Sequence, residues 1–194
     1  MSSIERDKEA ELVKRLRRSE PAAVEELCNA YFDCLYSLVF NQVGRDHQTA
    51  EDIVQETFLA ALNSVGKFRG QSKLYTWLCG IAHHKVLDFY RQQERESRRG
   101  KWTLSTGAIE PEQIPDNEPS LDTIIESSET HHMVEQALFN FPPDYRQVLI
   151  YKYVEEMSVS EISQVMGRSS KSVEGLLTRA RKALRASLTS PGEG

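Results

Sequence analysis

The segment 158–185 has the pattern of two helices joined by a tight turn, and no other feature limits the fold as strongly. Ser158 and Glu161 stand three apart before an apolar stretch, as they do in a capping box that begins a helix. Gly167 stands where a left-handed residue would end that helix. The second helix would bury one face and expose a basic one, which suits a helix-turn-helix that enters the DNA major groove. A helical hairpin with a solvated basic face is the alternative that this segment alone leaves open.

The net charge of −5 hides acidic and basic blocks along the chain. Residues 67–102 carry a net charge of +6 and residues 158–194 carry +3. Residues 1–66 carry −5, and residues 103–157 carry −9. Two basic blocks with an acidic block between them predict two contacts with a polyanion such as DNA.

Apolar residues recur at helical spacing, and no segment alternates as a strand would, so the sequence predicts an all-α fold. Ser19 is expected to cap a helix, because Pro21 follows in its first turn. The expected helices before the helix-turn-helix cover about 7–18, 19–43, 48–65, 72–96 and 144–155.

The segment 98–128 contains three prolines and many acids but little helical period, which indicates a flexible acidic linker. The sequence therefore predicts two small helical domains, at 1–97 and 129–188, and a short tail at 189–194. A tether of this kind would leave the free protein compact or variable in shape.

No apolar stretch approaches the length of a membrane span, and the charged start is unlike a signal peptide. We therefore expect a cytoplasmic protein with no membrane insertion of its own. The chain has three cysteines, Cys28, Cys34 and Cys79, and this odd number in a chain expected to be cytoplasmic predicts reduced thiols. Their spacing is also unlike that of metal ligands. No nucleophile–base set, phosphate-binding glycine loop or metal-spaced ligand set is present, so we expect no catalytic residue, metal or cofactor.

Four stretches, in this order, resemble bacterial RNA polymerase sigma factors of the extracytoplasmic-function group. Residues 50–59 are similar to the family's helix that binds core polymerase. Residues 68–91, with the pattern Phe-Arg-Gly and then Tyr-Thr-Trp-Leu, are similar to its promoter-melting segment. Residues 138–153 and 158–185 are similar to the helix-turn-helix of the family and the helix before it.

The resemblance implies sigma region two, a flexible linker and sigma region four, and it implies a non-catalytic promoter-specificity subunit. The implied partners are promoter DNA, core RNA polymerase through its clamp helices and flap region, and a separate anti-sigma factor. The acidic linker would then follow the basic RNA path of the polymerase.

A polar patch on one predicted helix is the candidate surface for core polymerase. Asp52, Gln55 and Glu56 are neighbours at spacings of three and four, so they share a face. The resemblance favours docking on polymerase, whereas a solvated acidic face is the plain alternative. Phe58 completes the family motif, although its position suits the core better than a contact.

Basic side chains interleaved with aromatic ones make residues 67–91 suitable for single-stranded DNA, because phosphates need cations and unstacked bases need flat partners. Trp77 is expected to lie mainly in the core. His84 stands where the family usually has an asparagine in its base pocket. Imidazole can also donate and accept hydrogen bonds, but it extends to a different distance than the asparagine amide. The candidate residues for the minus-ten element are Phe68, Arg69, Lys73, Tyr75, Trp77, His84, Lys85 and Arg91.

The second helix of the helix-turn-helix carries the candidate residues for the minus-thirty-five element. Its N-terminal part usually meets base edges. Glu174 is acidic where many relatives are basic, so it would accept from cytosine or repel phosphate. The set is Arg168, Ser169, Ser170, Lys171, Ser172, Glu174, Thr178, Arg179 and Lys182.

Two other functions are alternatives to the promoter-specificity subunit. A free-standing helix-turn-helix regulator would bind duplex DNA without polymerase, but it leaves the 50–59 motif unexplained. A helical enzyme acting on nucleic acid would need a carboxylate cluster for metal, and Asp52 with Glu56 is too little.

Overall fold

The computed structural model describes residues 3–99, 138 and 140–189, and within these residues every regular element is helical. They include a 3₁₀ turn at Val65–Lys67 and a π-helical stretch at Ile150–Val154. The α-helices are α1 Ser3–Arg17, α2 Pro21–Gln42, α3 His47–Ser64, α4 Leu74–Arg99, α5 Pro143–Leu149, α6 Val159–Met166 and α7 Ser170–Thr189.

Helices α2, α3 and α4 form an N-terminal bundle, and α1 packs on it. Asp46 begins α3 by accepting a hydrogen bond from the Thr49 amide at 2.6 Å. Leu12, Val13 and Leu16 are 4–6 % exposed, so α1 is held through its apolar face.

The prediction that Ser19 caps α2 is wrong. Glu20 occupies the cap position of α2 and makes no side-chain cap bond. Ser19 instead ends α1 with a left-handed φ of 57°. Its amide donates to the Leu16 carbonyl at 2.9 Å, and the Glu20 amide donates to the Arg15 carbonyl at 3.3 Å. This pairing closes a helix C-terminus, which is why the serine belongs to the preceding element.

The helix-turn-helix forms as the sequence predicts. The Ser158 hydroxyl accepts from the Glu161 amide at 3.2 Å, and the Glu161 carboxylate accepts from the Ser158 amide at 3.0 Å. Gly167 ends α6 with a φ of 62°. The helix expected over 144–155 is α-helical only to Leu149 and then widens into the π-helical stretch.

The N-terminal bundle and the C-terminal module pack against each other through α4 and α6 and share a continuous apolar core. The backbones approach closely at Gly80, where an added Cβ would lie 3.7 Å from the carbonyl oxygen of Val165. Arg146, which is 5 % exposed, donates to the Gln42 carbonyl at 2.9 Å and lies over the Tyr90 ring.

Helix α4 continues to Arg99, so the first two residues of the expected linker are helical. The rest of that linker and residues 190–194 of the expected tail lie outside the described residues. Among the helices that the structure describes, none is long and apolar enough to cross a membrane.

Candidate nucleic-acid interface

The polar patch of α3 is exposed, as its helical phase predicts. Asp52, Gln55 and Glu56 are all exposed. Glu56 lies 2.8 Å from the ammonium of Lys85 on α4, so the patch adjoins a candidate DNA-binding cation. Phe58 is 7 % exposed and lies in the core, so it supports the patch from below and offers little surface to a partner.

The segment between α3 and α4 carries the candidate base pocket. Phe68 is only 8 % exposed, and its ring centroid lies 5.1 Å from that of Trp77. The phenylalanine is therefore mainly a packing residue in this arrangement. Arg69 is exposed beside it, and Gly70 has a φ of 68°, which a residue with a side chain adopts rarely.

One face of α4 continues from this loop. Trp77, His84 and Arg91 recur at intervals of seven and therefore share a face, on which His84 and Arg91 are exposed. Arg91 pairs with Asp88 at 3.0 Å. Lys85 stands one position further round the helix.

Tyr75 lies elsewhere. Two positions along an α-helix turn through about 200°, so Tyr75 and Trp77 point in nearly opposite directions. The Tyr75 hydroxyl donates to the Glu155 carboxylate at 2.6 Å, and its ring stacks on Tyr31. The structure therefore places this candidate in the contact between the modules, because burial and the Glu155 bond hold it there.

The contact between the modules also contains polar groups that sequence reasoning missed. His83 is 3 % exposed, and its Nδ1 lies 3.3 Å from the Tyr151 hydroxyl. Burial, with the neighbouring His84 ring, lowers the pKa of His83 to about 4. Burial also raises the pKa of the Cys79 thiol, so that cysteine behaves as a packed apolar residue.

The candidate residues of α7 lie largely on its open side. Ser169 caps the helix by accepting from the Ser172 amide at 3.2 Å. Arg168 is half-buried and forms an ion pair with Asp144, which fixes the turn to α5. The exposed members of the set are Ser169, Ser170, Lys171, Ser172, Glu174, Thr178, Arg179 and Lys182.

Arg181 differs from its neighbours on α7. It donates to the Tyr153 hydroxyl at 2.8 Å and lies over the same ring, so it holds α7 to the π-helical stretch. Within the described part of the chain, no three histidine, cysteine or acidic side chains converge as they would around a metal ion.

Comparison with known proteins gives the same two modules in the same order. Residues 27–96 match the family model described as sigma-70 region 2, and residues 131–184 match that described as sigma-70, region 4. The chain is 30 % identical to the RNA polymerase sigma factor YlaC of Bacillus subtilis, over 88 % of this chain and 95 % of that protein. It is 28 % identical to the ECF RNA polymerase sigma factor SigW of the same organism, over 91 % and 94 %.

A solved structure has the same fold. The sigma factor RpoE, in its complex with the anti-sigma factor NepR from Bartonella quintana, matches with a TM-score of 0.61 at 22 % identity. The match covers 87 % of this chain and 98 % of that one, so the likeness extends over both modules.

Proposed function

The chain belongs to the extracytoplasmic-function group of bacterial RNA polymerase sigma factors, the promoter-recognition subunits, and we propose that three of its surfaces divide that task. The observation that carries the proposal is the presence of region 2 and region 4 on one chain, each with an exposed polar surface. The catalytic centre belongs to the polymerase, and this chain supplies recognition. The domains we propose are 1–97 and 129–188, and α4 and α7 extend two residues and one residue beyond these bounds.

The first surface is the α3 patch, which binds the clamp helices of core polymerase. Asp52, Gln55 and Glu56 are exposed on two successive turns, and Phe58 fixes their helix in the bundle. Carboxylates and an amide offer acceptors to basic and polar side chains of a partner.

The second surface captures the non-template strand of the minus-ten element. Arg69 and the α4 face with Trp77, His84 and Arg91 combine cations with flat side chains, which is the chemistry that unstacked bases and their phosphates need. Removing a base from the stack costs a few kcal/mol, so this surface must offset that cost.

The third surface reads the minus-thirty-five element as duplex. Lys171, Glu174 and Arg179 are exposed on α7, and Ser169 caps its N-terminus. A recognition helix offers residues of this kind to the major groove. Contacts with base edges give sequence specificity there, and contacts with phosphates fix the position of the helix.

An inhibitor is a further proposed partner. The RpoE structure contains an anti-sigma factor, and its fold matches this chain over both modules. We propose that a separate anti-sigma factor binds this chain and keeps it from polymerase.

Reconstitution tests the whole proposal. Core polymerase with and without this chain would transcribe fragmented genomic DNA, and the RNA 5′ ends would be sequenced. We expect start sites that depend on the chain and share two spaced elements. A chain that binds duplex DNA tightly and specifically without polymerase would favour the free-standing regulator instead.

Two variants separate the DNA surfaces. Lys171→Ala should weaken capture of the upstream duplex about tenfold. His84→Ala should leave that capture intact and reduce permanganate reactivity at the minus-ten element. His84 is a sharper probe than Phe68, because Phe68 is 8 % exposed and its truncation would also disturb packing. Lys14→Ala removes an exposed cation outside these surfaces and serves as the control.

A further inference from the structure

Helix α1 lies before the segment that matches sigma-70 region 2, yet it contacts both ends of the loop proposed to capture the minus-ten strand. Its apolar face is buried through Leu12, Val13 and Leu16. Burial of each such side chain is worth about 1.5–3 kcal/mol, so α1 is a firmly docked element.

Arg17 holds the start of the loop. Its Nη2 donates to the Phe68 carbonyl at 2.5 Å, and its Nε donates to the Val65 carbonyl at 3.4 Å. The guanidinium thus bridges the carbonyl of Val65, where the 3₁₀ turn begins, and that of Phe68, the residue that follows the turn. A planar fork with several donors can do this, whereas an ammonium cannot reach both with the same geometry.

Glu9 holds the end of the loop. Its Oε2 accepts from the amide of Leu74, the first residue of α4, at 3.2 Å. The preceding residue is Lys73, whose side chain has no acceptor with which to cap the helix. Glu9 therefore supplies from α1 an acceptor for the N-terminus of α4 that Lys73 cannot supply, and its negative charge suits a helix N-terminus.

Both contacts come from one rigid helix. Glu9 and Arg17 are eight residues apart, which is about 12 Å of helical rise. The loop they bracket contains Arg69, which we assign to the minus-ten strand. Ordering an unrestrained loop costs about 1–2 kcal/mol for each residue. Contacts that already order the loop before DNA binds therefore favour capture of the strand.

We propose that Arg17 and Glu9 are positioning residues for promoter opening, and that they fix the loop 68–73 in the conformation that receives the unpaired strand. This inference rests on the proposed minus-ten surface. The residues act through Arg69 and the loop backbone and need not touch DNA themselves.

The test measures opening by the full chain in complex with core polymerase, on a promoter found by the transcription experiment. Arg17→Ala should reduce permanganate reactivity at the minus-ten element about three- to tenfold, with a smaller reduction in Glu9→Gln. Binding of the upstream duplex and of core polymerase should be unchanged. Lys14→Ala removes a cation from the same helix and should open DNA as the unmodified chain does.

Two further variants distinguish positioning from direct contact. Arg17→Lys keeps the charge but loses the fork, so it should resemble Arg17→Ala; opening at the level of the unmodified chain would overturn the proposal. In an Arg69→Ala background, the effect of Arg17→Ala should shrink, because the two residues act through one loop. An undiminished effect, or an equal loss of core-polymerase affinity, would also overturn it.

The same variants distinguish a failure of the positioning role from a failure of the proposed minus-ten surface. If Arg69→Ala and His84→Ala open DNA normally, the minus-ten surface is wrong and the inference falls with it. If they impair opening while Arg17→Ala does not, only the positioning role is wrong.

Discussion

The ammonium of Lys73 lies 2.8 Å from the carboxylate of Glu161, a residue 88 positions further along the chain. That carboxylate also closes the capping box of α6 through the Ser158 amide. The Lys73 bond, with the cap, lowers the pKa of Glu161 to about 2. One carboxylate therefore joins the end of the loop 68–73 to the first turn of the helix-turn-helix. In this arrangement Lys73, a candidate residue for the minus-ten element, forms an ion pair within the chain.

A large side chain at Gly80, which we call the wedge, should separate the N-terminal bundle from the C-terminal module. An added Cβ there would lie 3.7 Å and 3.9 Å from backbone atoms of Val165, which is ordinary contact, so Gly80→Ala should fit. It should also stabilise α4 by up to about 1 kcal/mol. A Gly80→Phe ring has no room between the two backbones and should push the modules apart. Small-angle X-ray scattering should then give a larger radius of gyration for Gly80→Phe than for Gly80→Ala.

Circular dichroism provides the control for the wedge. Helical content should match in the two variants, since the wedge acts at the contact between α4 and α6 and leaves the hydrogen bonds within each helix in place. An unchanged radius of gyration with native helicity would mean that the contact between α4 and α6 does not hold the modules together.

Mild acid should weaken the fold through His83. The unfolded chain binds this proton near pH 6.5, and the folded chain binds it only near pH 4. The stability that depends on neutral His83 is therefore present above pH 6.5 and is lost as the pH falls toward 4. The difference corresponds to about 2 kcal/mol of unfolding free energy between pH 7.5 and pH 5.

Urea denaturation at several pH values would measure this loss. His83→Gln should flatten the dependence between pH 7.5 and pH 5. His84→Gln should reduce it only in part, because burial is the main cause of the lowered His83 pKa and the His84 ring is a lesser one. An equal slope in the unmodified chain and in His83→Gln would assign the effect to other groups.

Gln147 should be a site of stabilisation. The side chain is fully buried, and neither its amide nitrogen nor its amide oxygen has a hydrogen-bond partner within the described residues. An unsatisfied buried amide costs about 1–3 kcal/mol, so Gln147→Leu should raise the melting temperature by about 3 °C. Gln164→Leu, at an exposed position of α6, should change it little. A fall in the melting temperature of Gln147→Leu would show that the amide does find a partner.

Local patterns explain which parts of the fold the sequence could predict. The capping box of Ser158 and the left-handed Gly167 depend on neighbours within one turn, and the structure confirms both predictions. The prediction for Ser19 is wrong because local patterns can favour two structures at once. Serine is a favoured N-cap, but the C-terminus of α1 uses the same residues for its own closing hydrogen bonds.

Contacts between distant residues explain what the sequence could not predict. Glu9 and Leu74 are 65 positions apart, and Tyr75 and Glu155 are 80 apart, so neither pairing leaves a periodic trace. The exposure of the α3 patch followed from helical phase alone. That Tyr75 faces the other module follows only from the packing of α4 on α6, which no local propensity encodes.

Charge reversal at Asp52 should weaken core-polymerase binding without disturbing the fold. Asp52 is exposed, and Gln48 donates to it at 3.3 Å on the same helix, so little internal structure depends on the carboxylate. Asp52→Lys should reduce affinity for core polymerase about tenfold or more, because a like charge would then face a basic partner surface. Glu25→Lys makes the same change of charge at an exposed position of α2 and should bind normally. Fluorescence titration of labelled chain with core enzyme would compare the two, and equal affinities would move the polymerase-binding surface away from α3.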